Sequence, residues 1–218
     1  RVTRTNRRRP APHAGMSLWL VIPSRGLSAG KTRLTSVLSA RERIEFNTFC
    51  INGVMSAFES VTGSLRQCIV ISPSDDAHAL ARARGAQPLA DATADGLNAA
   101  VRQACDHARA HGADQILILA ADLPEVRGHH LEKLLDSNPG DVATLIADKT
   151  GLGTNGLLIP ARAASGFAFG EHSLSRHREH FAREGLTVTL WRDPALAQDI
   201  DTPDDLLTWR RQIGRAHV

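Results

Sequence analysis

Gln115-Ile-Leu-Ile-Leu-Ala-Ala-Asp-Leu-Pro124 is the stretch on which the reading of this chain turns. Residues 116–120 are apolar at odd and even positions alike. The run is too short for a helix, and Asp122-Leu-Pro124 ends it at once. A strand apolar on both faces belongs in the middle of a sheet covered on both sides. Similar runs lie at 18–22 (ending at Pro23), 68–71 (ended by Ser72-Pro73-Ser74), 142–146, 156–159 and 186–191. Helical patterns fall between them, at 31–40, 40–58, 75–84, 96–111, 129–136 and 204–211. In 96–111, Leu97, Val101, Ala104 and Cys105 share one face, and Gly112 ends the pattern. Strands alternating with helices predict one α/β domain over residues 16–212, built on a mostly parallel sheet. Ligands of such sheets bind beyond the carboxyl ends of the strands, so the loops after Ile22, Ile71 and Ala120 become the candidates.

Composition narrows the function classes. The 218 residues are 42% hydrophobic and 22% charged, which excludes wholesale disorder. No apolar run reaches about 18 residues, so no membrane-spanning helix is expected. Cys50, Cys68 and Cys105 are odd in number and form no C-x-x-C pair. That argues against a disulfide scaffold or structural zinc and fits a reducing cytoplasm. Tyrosine is absent and Trp occurs three times, which argues against a base-stacking nucleic-acid platform. The net charge of +3 misleads, because Arg1, Arg4, Arg7, Arg8 and Arg9 all precede residue 16. Without those five, residues 16–218 carry −2. Residues 1–15 are expected to be a disordered basic tail preceding a native start at Met16. Residues 213–218 match what a sequencing adapter encodes and are expected to be non-native.

The loop after the first strand is Pro23-Ser-Arg-Gly-Leu-Ser-Ala-Gly-Lys-Thr-Arg-Leu34. Small residues let backbone amides approach an anion, and a following helix would add its dipole. Arg25, Lys31 and Arg33 add three cations in nine residues. Polyphosphate is the ligand this chemistry suits. Gly30-Lys31-Thr32 resembles the end of a P-loop, but G-x-x-x-x-G-K-[ST] would need its first glycine at position 25, which is Arg25. Gly26 makes the loop one residue too short.

Asp122, just past the most apolar strand, is placed as a Mg²⁺ ligand would be, since Mg²⁺ takes one or two carboxylates plus phosphate oxygens and water. A helix N-cap explains it too. Asp199-Ile-Asp201-Thr-Pro-Asp-Asp205 is a second acidic cluster. Capping of the last helix accounts for Asp204 and Asp205, and less well for Asp199 and Asp201. Asp95-Gly96-Leu97-Asn98 opens a helix, and Asn98 either reads a base edge or caps. Gly151-Leu-Gly-Thr-Asn-Gly156 offers amides and the Thr154 hydroxyl to an anion, or simply turns a hairpin. Gly170-Glu-His-Ser-Leu-Ser-Arg-His177 is similarly rich in donors. His129-His130 and the His177/His180 pair lie on helical patterns without a third ligand, and H-E-x-x-H and G-x-S-x-G are absent. Neither zinc nor covalent catalysis is expected.

Taken together, these pieces resemble one family. Residues 22–34 resemble the signature IPxKxLxxAKTRL of the 2-phospholactate guanylyltransferases of coenzyme F-420 biosynthesis. Gly96-Leu-Asn-Ala99, Ala121-Asp-Leu-Pro124, Gly153-Thr-Asn155, residues 170–177 and Asp199-Ile-Asp-Thr-Pro203 follow in the same order, so the resemblance spans about residues 18–210. It implies a Rossmann-like three-layer sandwich of the nucleotide-diphospho-sugar transferase (GT-A-like) type. It implies condensation of GTP with a small phosphorylated three-carbon acid and release of pyrophosphate, with a downstream transferase as a pathway partner and no nucleic acid or membrane. Asp122 and Asp201 would hold Mg²⁺ and, with Lys31, form the catalytic set. Pro23, Arg25, Gly26, Lys31 and Arg33 would bind the triphosphate, with Gly96 and Asn98 near guanine. Thr154, Gly170 and Ser173 would bind the acid. Arg25 stands where the family usually has Lys, Gly26 where it often has Pro, and Gly30 where it has Ala. The first of these keeps the charge but replaces a point cation by a fork.

The nearest rivals are a molybdenum-cofactor or sugar-phosphate nucleotidyltransferase, whose first loop is usually Gly-Gly-rich, a P-loop-like GTPase, and a non-catalytic nucleotide-binding module. The acceptor stays open among 2-phospholactate, phosphoenolpyruvate and 3-phosphoglycerate, and a homodimer stays open as well.

Overall fold

The computed structural model describes residues 15–92 and 95–216. The expected basic tail, apart from Gly15, lies outside them. Residues 213–216 belong to the last helix, and 217–218 lie outside the described residues.

The described elements run β1 (Leu18–Pro23), α1 (Ala40–Thr62), β2 (Cys68–Ser72), α2 (Asp75–Arg84), β3 (Gln87–Ala90), α3 (Leu97–Ala110), β4 (Gln115–Leu119) and α4 (Gly128–Ser137). They continue with β5 (Val142–Ala147), β6 (Thr154–Pro160), α5 (Ser173–Arg183), β7 (Thr187–Trp191), α6 (Pro194–Ala197) and α7 (Pro203–Ala216). One sheet takes all seven strands in the order β3-β2-β1-β4-β6-β5-β7. β6 runs antiparallel to both its neighbours, and every other adjacent pair is parallel. The mostly parallel α/β sandwich anticipated from the sequence is present.

Strand alternation divides the core in two. Leu20 and Ile22 of β1, Cys68 and Val70 of β2, and Leu117 and Leu119 of β4 pack against α1, α2 and α4. Val21, Ile69, Ile71, Ile116 and Ile118 point the other way, onto α3 and Phe181 of α5. Both faces are covered, as the unbroken apolar runs require, and each fully buried Leu or Ile contributes ~2 kcal/mol.

Two expectations are corrected. Residues 31–40 do not form a helix. Lys31 adopts the left-handed conformation (φ 60°), and only a 3-10 turn, Thr32–Leu34, follows. Helix α1 starts at Ala40 because Ser39 and Glu42 form a reciprocal capping box there. Leu34 and Leu38 bury instead in a small third cluster with Phe46, Cys50, Ile200 and Leu206, which ties the first loop to α1 and α7. The sequence reading also lacked β3. Its four residues, Gln-Pro-Leu-Ala, carry no alternating pattern, and Pro88 is tolerated because the strand is at the sheet edge.

The reversed strand places the site. Gly156 pairs with Leu119, so Thr154, at the start of β6, lies at the same sheet edge as the ends of β1 and β4. A Cβ on Gly156 would stand 2.6 Å from the Ile118 carbonyl oxygen and 2.7 Å from Leu119, so β6 sits against β4 more closely than a side chain permits.

Candidate active site

Three loops converge at this edge through one lysine. Nζ of Lys31 donates to Asp122 Oδ2, just past β4, and to Asp201 Oδ1 at 2.9 Å, between α6 and α7. The Lys31 side chain is 8% exposed. Burial opposes its charge, but the two carboxylates outweigh that and hold the ammonium above its ordinary pKa. Burial likewise opposes the charge on Asp201, which is nevertheless held low by Lys31.

A second lysine closes the acidic segment. Lys149 Nζ lies 2.6 Å from Asp205 Oδ1 and donates to the Asp199 carbonyl at 3.0 Å. Asp205 also accepts from the backbone N–H groups of Asp201 and Thr202, at 3.1 and 2.9 Å. Although burial opposes it, these partners hold Asp205 at about 2. Asp205 thus shapes the turn that presents Asp201, beyond capping α7. Asp199 is pushed up by burial, with Lys149 only partly offsetting it, and accepts from Asn155 Nδ2 at 3.3 Å. Lys149 was not legible in the sequence, since nothing local marks it.

Two carboxylate oxygens, one from Asp122 and one from Asp201, meet at a single cation. Hard oxygen donors in that number suit Mg²⁺, and among the described residues no larger His, Cys, Asp or Glu cluster competes with them. Asp122 does not cap a helix, since α4 begins only at Gly128.

The first loop is clamped from behind. Asp76 accepts from the N–H groups of Leu27 and Ser28, both at 3.0 Å, and from the hydroxyls of Ser28 and Ser74 at 2.9 and 2.7 Å. These bonds outweigh desolvation and hold its carboxyl well below the usual carboxylate range. Asn47 Nδ2 donates to the Leu27 carbonyl at 2.7 Å. Gly26 has φ 106°, and a Cβ there would stand 2.5 Å from Ser74. Pro23 closes β1, and Arg25 and Arg33 are exposed. The cations therefore stand on a fixed loop that leads into a 3-10 turn. A P-loop requires a helix at that point, and here Lys31 instead serves two aspartates.

The residues expected around base and acid form a second network. Gly96 (φ 84°) precedes α3. Asn98 is spoken for by backbone: Oδ1 accepts from Phe169 N–H at 2.7 Å, and Nδ2 donates to the Phe169 carbonyl at 3.3 Å. It braces the segment leading to Gly170 (φ 127°). Ser173 Oγ donates to Thr154 Oγ1 at 3.1 Å, and His177 Nδ1 lies 3.1 Å from the same oxygen. Thr154 and Asn155 are adjacent on β6 and face opposite ways, so one strand serves both networks. Asp76 and His177 carried no signal in this role: the first reads as a first-turn acid of α2, the second as a stray helical histidine.

His177 gives a pH test. Burial, helped by His180, lowers its pKa from 6.5 to about 4. Between those values the unfolded chain binds a proton that the folded chain refuses. Stability should therefore be whole above pH 6.5 and fall as the pH drops towards 4, by ~3 kcal/mol. Urea unfolding of His177→Gln is expected to lose that part of the slope, and an unchanged slope would mean that the folded ring protonates normally. His107 and His130, also lowered by burial, share this window, and Asp76 and Asp205 begin to add their own loss at its acid end, so the difference between parent and His177→Gln is the quantity that isolates His177.

Comparison with known proteins agrees with this geometry. Residues 18–209 match the family model of guanylyl transferases described as CofC-like. The phosphoenolpyruvate guanylyltransferase of Roseiflexus castenholzii is 36% identical over 199 residues, covering 91% of this chain and 90% of the relative. That of Mycobacterium leprae is 35% identical over 202 residues, covering 90% of each. Among solved structures, a protein described as a nucleotide-diphospho-sugar transferase from Desulfovibrio desulfuricans superposes with a TM-score of 0.71 at 17% identity, over 90% of this chain and 88% of that one. A nucleotidyl transferase from Methanothermobacter thermautotroptrophicus gives 0.66 at 16% identity, over 93% of this chain and all of the other. The structures establish the Rossmann-like fold of nucleotidyl and nucleotide-diphospho-sugar transferases. With a match over nearly the whole domain and relatives above 30% identity, the chain belongs to the CofC-like guanylyl transferase family.

Proposed function

We propose that this guanylyltransferase condenses GTP with phosphoenolpyruvate, or a phosphoacid of nearly the same shape, in coenzyme F-420 biosynthesis. The observation that carries the reading is the meeting of Lys31, Asp122 and Asp201 at the sheet edge where Thr154 and Ser173 also lie. The activity named for the curated relatives supports phosphoenolpyruvate over 2-phospholactate and 3-phosphoglycerate. The free thiols of Cys50, Cys68 and Cys105 fit a cytoplasmic enzyme.

The chemistry is a substitution at the α-phosphorus of GTP. A phosphate oxygen of the acid attacks, a new P–O–P anhydride forms, the α–β bridge breaks, and pyrophosphate leaves with its electron pair. Two anions must approach one another, so neutralisation and positioning carry the catalysis. Mg²⁺ held by Asp122 and Asp201 would neutralise phosphate oxygens at the reacting phosphorus. Lys31 keeps a permanent positive charge where the two carboxylates meet. The clamped loop bearing Pro23, Arg25, Gly26 and Arg33 receives the triphosphate. Gly96 and Asn98 mark the guanine end, Asn98 by bracing the Phe169 backbone there rather than by offering its amide to the base. Thr154, Gly170 and Ser173 offer hydroxyls and amides to the acid.

The test is a pyrophosphate-release assay with Mg²⁺ and GTP, each of the three acids in turn, the downstream transferase to draw off product, and ATP and no-acid controls. Acid-dependent pyrophosphate is expected, greatest with phosphoenolpyruvate. Phosphate release without acid would turn the reading to an NTPase. The loop clamp adds an expectation: Asp76→Ala should raise the KM for GTP roughly tenfold, the scale of losing hydrogen bonds to a charged group, and leave the KM for the acid unchanged. Equal changes in both constants would place Asp76 in general stability.

A further inference from the structure

His177 lies on α5 with no exposed surface, yet both its ring nitrogens have partners. Nε2 lies 3.0 Å from the backbone N–H of Ala168. A backbone N–H can only donate, so Nε2 accepts and carries no proton. The proton of the neutral ring is then on Nδ1, and it points at Thr154 Oγ1, 3.1 Å away. The imidazole stays neutral at ordinary pH, because burial disfavours its charged form.

Thr154 Oγ1 has two lone pairs and one proton. Nδ1–H of His177 donates into one lone pair, and the Ser173 hydroxyl, at 3.1 Å, donates into the other. Among these three residues the Thr154 proton is the one donor left uncommitted. A threonine hydroxyl is ordinarily a rotor that donates or accepts as its surroundings ask. Here its accepting capacity is filled, so it can offer only a proton. Carboxylates and fully ionised phosphates offer only acceptors, and a fixed donor suits them.

We propose that His177 is a positioning residue for the acid substrate, which it serves by locking the Thr154 hydroxyl as an outward donor while holding the Ala168 backbone of the neighbouring loop. This rests on the reading of Thr154 and Ser173 as contacts to the acid. His177 itself does not touch the reacting atoms. A positively charged or Nε2-protonated ring could not make this pair of bonds, since its Nε2 would face the Ala168 N–H with a proton of its own.

Three variants and one spectrum separate the outcomes. His177→Gln keeps an acceptor near Nε2 for Ala168 and loses the donor to Thr154. His177→Asn keeps a donor near Nδ1 and loses the acceptor. Thr154→Val removes the hydroxyl itself. His177→Gln is expected to raise the KM for the acid about tenfold, with the KM for GTP changed less than about twofold. His177→Asn should hold the acid KM within about threefold of the parent while lowering the unfolding midpoint. On the Thr154→Val background, His177→Gln should change the acid KM less than about twofold, because the group it orients is gone. An unchanged acid KM in His177→Gln, or a full effect persisting on the Thr154→Val background, would overturn the proposal. If Thr154→Val leaves the acid KM unchanged, the assignment of the acid site fails, and the proposal fails with it. ¹⁵N-histidine NMR of the unaltered protein reads the tautomer whether or not a variant folds. Nδ1–H is expected for His177, and Nε2–H would overturn the proposal.

Discussion

Asp122→Asn is expected to leave the protein folded and to cut turnover at least ~100-fold, the scale on which losing one main electrostatic element acts. The substitution keeps the shape of the side chain and removes its charge. Asp122 is held past the end of β4, whose five residues are all buried, so the backbone that presents it is rigid. Lys31 keeps Asp201 as a partner, which limits the loss of stability. The affected quantity should therefore be kcat with saturating GTP and acid, checked beside a far-ultraviolet spectrum and an unfolding midpoint. Near-normal turnover would remove Asp122 from the proposed metal site.

Lys31→Met should act on both stability and rate. The thioether keeps most of the buried stem, so packing is largely retained, but Asp122 and Asp201 are left facing each other without a cation. Breaking a fully buried pair costs about 3–5 kcal/mol. Here the Asp201 side chain is 49% exposed, and water screens part of the repulsion, so ~2 kcal/mol is expected. Turnover should fall at least ~100-fold if, as proposed, Lys31 is the cation that meets the reacting phosphates. Mg²⁺ separates the two effects. If the metal and the ammonium compete for the same oxygens, Mg²⁺ should raise the unfolding midpoint of Lys31→Met well above any rise in the parent, by up to ~2.7 kcal/mol at one hundred times its Kd. A variant indifferent to Mg²⁺ would mean that the two carboxylates do not form its site.

Much of this was legible in the chain itself, for reasons that can be named. Residues 116–119 are apolar at every position, and only a buried central strand asks for that, so β4 and the place of Asp122 followed together. The partners of Lys31 were less legible, because Asp122 and Asp201 are 91 and 170 residues away and meet it only through the sheet order. Residues 31–40 misled because Leu34 and Leu38 keep a helical spacing while burying in a cluster with α7, and the Ser39 capping box had more say than the spacing. β3 failed for the opposite reason: an edge strand half covered by neighbours needs no pattern. Asn98 was read as either a base contact or a cap, and the structure finds it holding the Phe169 backbone, a partner 71 residues away that no local signal announces.

The glycine that lets β6 lie against β4 fixes more than a contact. Thr154 and Asn155 serve opposite faces of one strand, so a slip of a single residue would exchange their duties and dismantle both networks at once. Gly156 forbids that slip by fitting where no Cβ can. A substitution that alters Thr154 while keeping this register therefore acts through the side chain alone, or through the segment that meets it at Ser173 and His177. The close fit of Gly156 against β4 thus acts as a ruler for both networks.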